Sequence, residues 1–174
     1  MKQVSNSVQH LALGKILSAL LVFSILFSLF VPTASALTPS ESTTVAERNQ
    51  IAKNWAYLEQ GYKEYNCLAW AVGITTAWIW PWGSDNPTLN EVDTYLENRG
   101  YISASNAMSC NIYAYGTTDS ICHFARGRGA GPLAVPIDSK WGKCELFSHT
   151  TYSPYYTIAE GGLYGNLQAY YYLP

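Results

Sequence analysis

The chain changes character at Asn98-Arg99-Gly100, and this change does most to limit the folds open to it. Before that point apolar residues recur at helical spacing; after it come short runs bounded by turn residues, as in strands. Helices first and strands afterwards predict an α+β domain, with N-terminal helices packed on a mostly antiparallel sheet. Val45, Ile51, Ala52, Trp55 and Leu58 predict a first helix over 45–58, opened by a Thr44/Glu47 capping box and ended by Gly61. Asn66 to Ile79 predicts a second, with Asn66 as N-cap and Cys67, Trp70, Ala71, Ile74 and Trp78 on one face. Gly73 and Thr75-Thr76 work against its full length, and Pro81-Trp82-Gly83 ends it. A third starts at the capping box Thr88/Glu91, buries Leu89, Val92 and Leu96, and stops at Asn98–Gly100. Strands are expected at 111–116, 121–126, 133–140, 143–149 and 167–173, with turns at Gly127–Pro132 and Trp141-Gly142. The glycine-rich turn lacks the Gly-Lys-Ser/Thr ending of a phosphate loop and joins strands instead of opening a helix.

Residues 1–36 read as a secretory signal. Lys2 and Lys15 precede an apolar run from Ile16 to Val31, and Ala34-Ser35-Ala36 is a small-x-small cleavage site. The run holds roughly 16 residues against the ~20 that span a bilayer, so cleavage near Ala36 is expected rather than stable membrane association. The remainder divides into a lead-in and N-terminal helix over 37–54 and a main domain over 55–174, one core in one monomer. Removing both lysines makes the mature chain more negative than the −2 of the whole sequence. An acidic, exported chain whose clustered basic residues are only Arg126 and Arg128 excludes nucleic acid as the expected partner. Its wealth of Tyr and Trp suits a core, and a groove lined for peptide or another polymer.

Two histidines, His123 and His149, and four cysteines, Cys67, Cys110, Cys122 and Cys144, remain after residue 36. Cys67 stands apart from the other three, at the first position of a predicted helix, where the helix dipole lowers a thiol's pKa. His123 falls on a predicted strand, sharing a face with Ile121 and Ala125 while Cys122 and Phe124 point the other way. A helix-start cysteine followed by a strand histidine is the minimal set for nucleophilic attack on an amide. If Gly127–Pro132 closes a hairpin, His123 lies opposite Asp138 or Ser139, and Asp138 is the first choice to orient the imidazole. Ser139 and His149 are the alternatives, with Glu145 behind them. The backbone N–H of Cys67 and the side chain of Asn66 or Tyr65 are candidate oxyanion donors, and Lys140 a rim residue for a substrate carboxylate. No cofactor is implied. Two histidines without paired-cysteine spacing make no zinc site. Any two of Cys110, Cys122 and Cys144 could pair, or all four cysteines could be consumed in two disulfides.

Asn66-Cys67-Leu68-Ala69, Ile121-Cys122-His123-Phe124-Ala125 and Ile137-Asp138-Ser139-Lys140 resemble, in order, the three motifs of papain-like cysteine hydrolases of the bacterial NlpC/P60 type. Trp78-Ile79-Trp80-Pro81-Trp82, Ile112-Tyr113-Ala114-Tyr115, Ser139-Lys140-Trp141-Gly142, His149 and Tyr164-Gly165 are more similar still to an uncharacterised bacterial domain family. The resemblance covers about residues 55–173. It implies a papain-like fold and a secreted or cell-surface peptidase or amidase working through a thioester on Cys67, with peptide, peptidoglycan stem peptide or another amide polymer as substrate. Asn66 replaces the usual Asp of the NlpC/P60 motif, and Leu68-Ala69 replaces Ser-Gly. Two rival expectations stand beside it: a non-catalytic, disulfide-bonded binding module, and an effector or toxin domain that modifies a foreign protein.

Overall fold

The computed structural model describes residues 37–105, 110–128, 137–149 and 154–174. The expected signal segment with its cleavage point, and most of the Gly127–Pro132 turn, lie outside the described residues. Leu37–Pro174 forms one compact unit. In chain order it comprises α1 (Val45–Ile51), β1 (Ala56–Glu59), α2 (Cys67–Ala71), α3 (Leu89–Glu97), β2 (Ile102–Ser103), β3 (Ile112–Thr117), β4 (Ser120–Gly127), β5 (Ile137–Lys140), β6 (Leu146–His149) and β7 (Asn166–Tyr172). The strands form one antiparallel sheet of seven in the order β1-β6-β5-β4-β3-β7-β2. The α+β class and the antiparallel sheet are as the sequence predicts.

Both expected capping boxes form. Thr44 accepts from the Glu47 amide and Thr88 from the Glu91 amide, while each glutamate accepts from its partner's backbone N–H. The third predicted helix is found as α3, burying Val92 and Leu96 and stopping at Asn98. The first is shorter than its spacing suggests. It ends at Ile51, Ala52 turns extended at φ −134°, and residues 56–59 join the sheet as β1 against β6. Trp55 packs edge-on against Phe147 at 5.9 Å, and the Arg48 guanidinium lies 5.2 Å from both rings. Pairing with β6 and the Trp55–Phe147 contact thus override a weak helical pattern. Gly61 is no helix end; a Cβ there would come within 2.6 Å of Lys140 Cε and 2.8 Å of the Cys144 carbonyl. The second helix is cut to one turn and a half. Gly73 adopts φ +79°, and the Ile74 amide closes back on the Ala69 carbonyl. Ile74 and Trp78 are left exposed.

Helices α2 and α3 lie against one face of the sheet, where Leu68, Val92, Leu96, Ile112, Ala114, Ile121, Phe124 and Tyr171 form an apolar core. A second core on Tyr113, Tyr115 and Ala125 takes in Ala52, Trp141, Phe147 and Tyr155. Strands β3 and β4 carry the alternation that separates the two, with Ala114 opposite Phe124 and Tyr113 opposite Ala125.

A bulge breaks this alternation at the residue before His123. Tyr115 pairs with His123 but Gly116 pairs with Ile121, so Cys122 is the extra residue. Ile121 therefore joins Phe124 in the helix-covered core, not the face of His123 and Ala125 that unbroken alternation predicts. Gly116 permits the bulge. Its φ is +146°, and a Cβ there would lie 2.2 Å from the Ser120 carbonyl.

Candidate functional site

A pocket of about 270 Å³ opens where β4 and β5 part, and Asn66, Cys67, Trp80, Cys122, His123 and Tyr164 are among its lining residues. Among the described residues β4 pairs with β5 only at Arg126↔Asp138 and Gly127↔Ile137. Before Arg126 β4 is therefore not paired with β5, and α2 packs over it. There the Phe124 backbone hydrogen-bonds the Cys67 sulfur. Cys67 and His123, 56 positions apart in sequence, thus line one opening, Cys67 at 6% exposure and His123 fully buried.

Asn66 holds Cys67 at the helix start. Its Oδ1 accepts from the Ala69 amide at 3.0 Å, and its Nδ2 donates to the Ile79 carbonyl at 2.7 Å. The N-cap expectation is met, and the same side chain ties down the tryptophan loop that walls the pocket. Trp80 meets Trp82 edge-on at 5.4 Å, and Trp82 stacks on Phe124.

Burial governs the thiol. It pushes Cys67 up to about 11, and the backbone hydrogen bonds from Phe124 and Leu68 only partly oppose it. The low pKa expected from a helix start is overturned, because a helix of five residues carries too small a dipole to offset desolvation. Cys122, the other thiol in the pocket, donates to the Leu163 carbonyl at 3.2 Å and the Tyr164 carbonyl at 3.5 Å. Those acceptors favour S–H over thiolate, whereas the Phe124 bond to Cys67 favours thiolate. Cys67, Cys122 and Cys144 carry free thiols. Cys67 is therefore not consumed in a disulfide, as a fully oxidised module would require.

His123 sits in a buried polar cluster. Its Nε2 lies 3.0 Å from Tyr155 Oη. That hydroxyl is also 2.7 Å from Ser139 Oγ and 3.0 Å from His149 Nε2. Ser139 Oγ lies 3.2 Å from His149 Nε2 and accepts from Trp141 Nε1–H at 3.2 Å. Tyr164 stacks on the His123 ring at 3.8 Å and 15°. Indole N–H only donates, so the Ser139 proton must go to Tyr155 or His149. His123 Nδ1 is buried with no hydrogen-bond partner. Burial, and secondarily His149, holds His123 well below the ordinary histidine range, and burial lowers His149 to about 3. Both imidazoles are neutral at neutral pH.

The expected orienting residue is corrected. Asp138 lies opposite Arg126, three residues further along β4 than His123, and its carboxylate pairs with Arg128 Nε. An odd shift of register turns a side chain to the other face of a strand. The same shift puts Ser139 on the face of Ala125 and His123, where it joins the cluster. His149 also joins, bonded to Tyr155. Glu145 is engaged elsewhere, holding Arg48 at 2.9 Å and the Thr43 hydroxyl at 2.7 Å. Lys140 is no rim residue; it is fully buried, donates to the Gly142 carbonyl at 2.8 Å, and faces the Tyr65 ring at 5.4 Å. Burial lowers its ammonium to about 8. Tyr65 is itself buried, stacked on Trp70 at 6.0 Å, so it supports the helix and is not among the pocket's lining residues. Tyr155 is not legible as a site residue, being one tyrosine among 14 in a segment without motif or periodicity, and Tyr164 stands in the Tyr164-Gly165 motif, to which the sequence assigns no role.

A short helix over an antiparallel sheet, with two thiols and a neutral imidazole lining one aromatic pocket, defines a small α+β domain with a cysteine–histidine site. The chain belongs to the family described as "Domain of unknown function (DUF7689)", whose model matches residues 56–172. No curated protein and no solved structure matches the chain.

Proposed function

We propose that this protein is an exported, papain-like thiol hydrolase that cleaves amide bonds. The observation that carries the reading is the shared pocket of Cys67 and His123, with Nδ1 the ring nitrogen left without a partner. Cys67 Sγ attacks the carbonyl carbon of the amide while its proton passes to His123 Nδ1. The tetrahedral adduct collapses when His123 returns that proton to the leaving amine, which leaves a thioester on Cys67. Water, deprotonated by His123, then attacks the thioester and releases the acid, and the proton returns to sulfur. The Cys67 backbone N–H stands at the helix start as an oxyanion donor.

Tyr155 takes the orienting role in this scheme. With Nδ1 as the accepting nitrogen, Nε2 carries the hydrogen and donates to Tyr155 Oη, which passes its own to Ser139 or His149. Because burial raises the thiol and lowers the imidazole, the resting pair is neutral and the proton moves when substrate binds. Peptides and peptidoglycan stem peptides are the substrates to try first. Mass spectrometry of such mixtures should show new amine and acid products with the folded domain and none with Cys67→Ala. His123→Ala should be slower by on the order of a hundredfold or more. Product formation unchanged in folded Cys67→Ala would refute the reading.

The burial of Cys67 supports a second reading, a binding module in which Trp78, Trp80 and Tyr164 grip a ligand and the thiol is a small apolar wall. It predicts ligand binding with no covalent intermediate.

A further inference from the structure

A second pocket, of about 460 Å³, is lined by Trp70, Asn111, Arg126, Gly127, Arg128 and Asp138. Its charges are unequal in availability. Arg128 is paired with the buried Asp138 carboxylate, which cancels its charge locally. Arg126 is exposed, and among the described residues no carboxylate lies within ion-pair distance of it. Its guanidinium lies 5.8 Å from the centre of the Trp70 ring, an aromatic shelf that holds the planar cation and leaves its N–H edge open. Trp70 Nε1–H is buried without a hydrogen-bond partner. The pocket therefore offers one free fork of donors and a net charge of +1, which suits a planar monoanion.

The same two elements build both pockets. Trp70 follows Cys67 by three residues on α2, and Arg126 follows His123 by three on β4, a shift that turns Arg126 to the face covered by α2. Three residues of strand span about 10 Å, the length of a tripeptide in extended form.

We propose that the Arg126–Trp70 pocket is a subsite for a carboxylate of the substrate, so that the enzyme acts on acidic amides whose carboxylate lies about three residues from the bond attacked at Cys67. The cleavage part of this statement rests on the thiol-hydrolase reading; the carboxylate binding does not. Acetyl-Ala-Ala-Ala with a free C-terminal carboxylate spans that distance, and its C-terminal amide is the neutral control.

The test is titration of both peptides into the folded domain, followed by the Trp70 indole and the amides of residues 126–128 in NMR spectra. The acid should bind at least tenfold more tightly than the amide, in wild type and in Cys67→Ala alike. Arg126→Gln should bring the ratio close to one, and Arg126→Lys should restore it only in part, because an ammonium lacks the fork. Equal binding of acid and amide to wild type, or no binding of either at millimolar concentration, would overturn the subsite. So would tighter binding of inorganic phosphate than of the acid at the same residues. An intact preference in Cys67→Ala with no hydrolysis by wild type would keep the subsite and refute the hydrolase reading.

Discussion

The two cores of this domain are built from different materials. The helix-covered core of Leu68, Val92, Leu96, Ile112, Ala114 and Phe124 is apolar apart from the Cys67 thiol and the Tyr171 hydroxyl, which donates to Asp93. The other contains a buried polar cluster of His123, Ser139, His149 and Tyr155, all at 2% exposure or less. An apolar core stabilises in proportion to the area it removes from water, whereas a buried polar cluster stabilises only while every member stays paired. A cluster of that cost, opening onto the pocket that also holds Cys67, is where we place function. The contrast makes testable claims, because damage to one side should cost fold and damage to the other should cost chemistry.

Leu96→Ala should have the largest effect on stability, about 2–5 kcal/mol by urea denaturation, because Leu96 is fully buried among apolar neighbours. Activity per folded molecule should be unchanged. Acid acts on the polar side. The folded-state pKa values of His123 and His149 are depressed, so the unfolded chain binds protons first as the pH falls. The stability that the two neutral imidazoles allow is full above about pH 6.5 and is lost progressively below it, down to about pH 3 for His149. The loss should approach about 1.4 kcal/mol per pH unit for each histidine. A histidine double variant such as His123→Gln/His149→Gln should flatten the urea midpoint between pH 6.5 and 4. Tyr155→Phe removes one hydroxyl shared by three polar groups. It should cost about 1–3 kcal/mol in stability and slow hydrolysis by roughly tenfold to a hundredfold. Thr88→Ala, which breaks the cap of α3, should cost only about 1 kcal/mol and leave rates alone. If Tyr155→Phe behaved like Leu96→Ala, with stability lost and rates intact, the division between the two cores would fail.

The same contrast separates what was legible in the sequence from what was not. Helix α3 could be read whole, because its capping box, apolar stripe and closing Asn98–Gly100 are local signals. Strands β3, β4 and β7 are legible as short apolar and aromatic runs bounded by turn residues, and Cys67 and His123 by their placement on a helix start and a strand. The partners of His123 depend instead on long-range register. A tight hairpin would set Asp138 opposite His123, and the observed pairing moves it three residues away and onto the other face. Tyr155 reaches His123 across 32 positions, with no periodic signal to mark it. The Cys122 bulge was hidden for a similar reason, since only the pairing with Gly116 reveals the extra residue. Likewise Lys140 looked like a surface residue by type, but the glycine at position 61 makes room for its buried stem.

The most direct test of Cys67 as nucleophile and His123 as its base is acylation by p-nitrophenyl acetate, followed by peptide mapping in the mass spectrometer. The account predicts a single acetyl on Cys67 in the folded domain, with nitrophenol released in a burst, and neither burst nor acetyl-Cys67 in His123→Ala. An acetyl carried by Cys122 instead, or acetylation of Cys67 that proceeds equally well without His123, would contradict it.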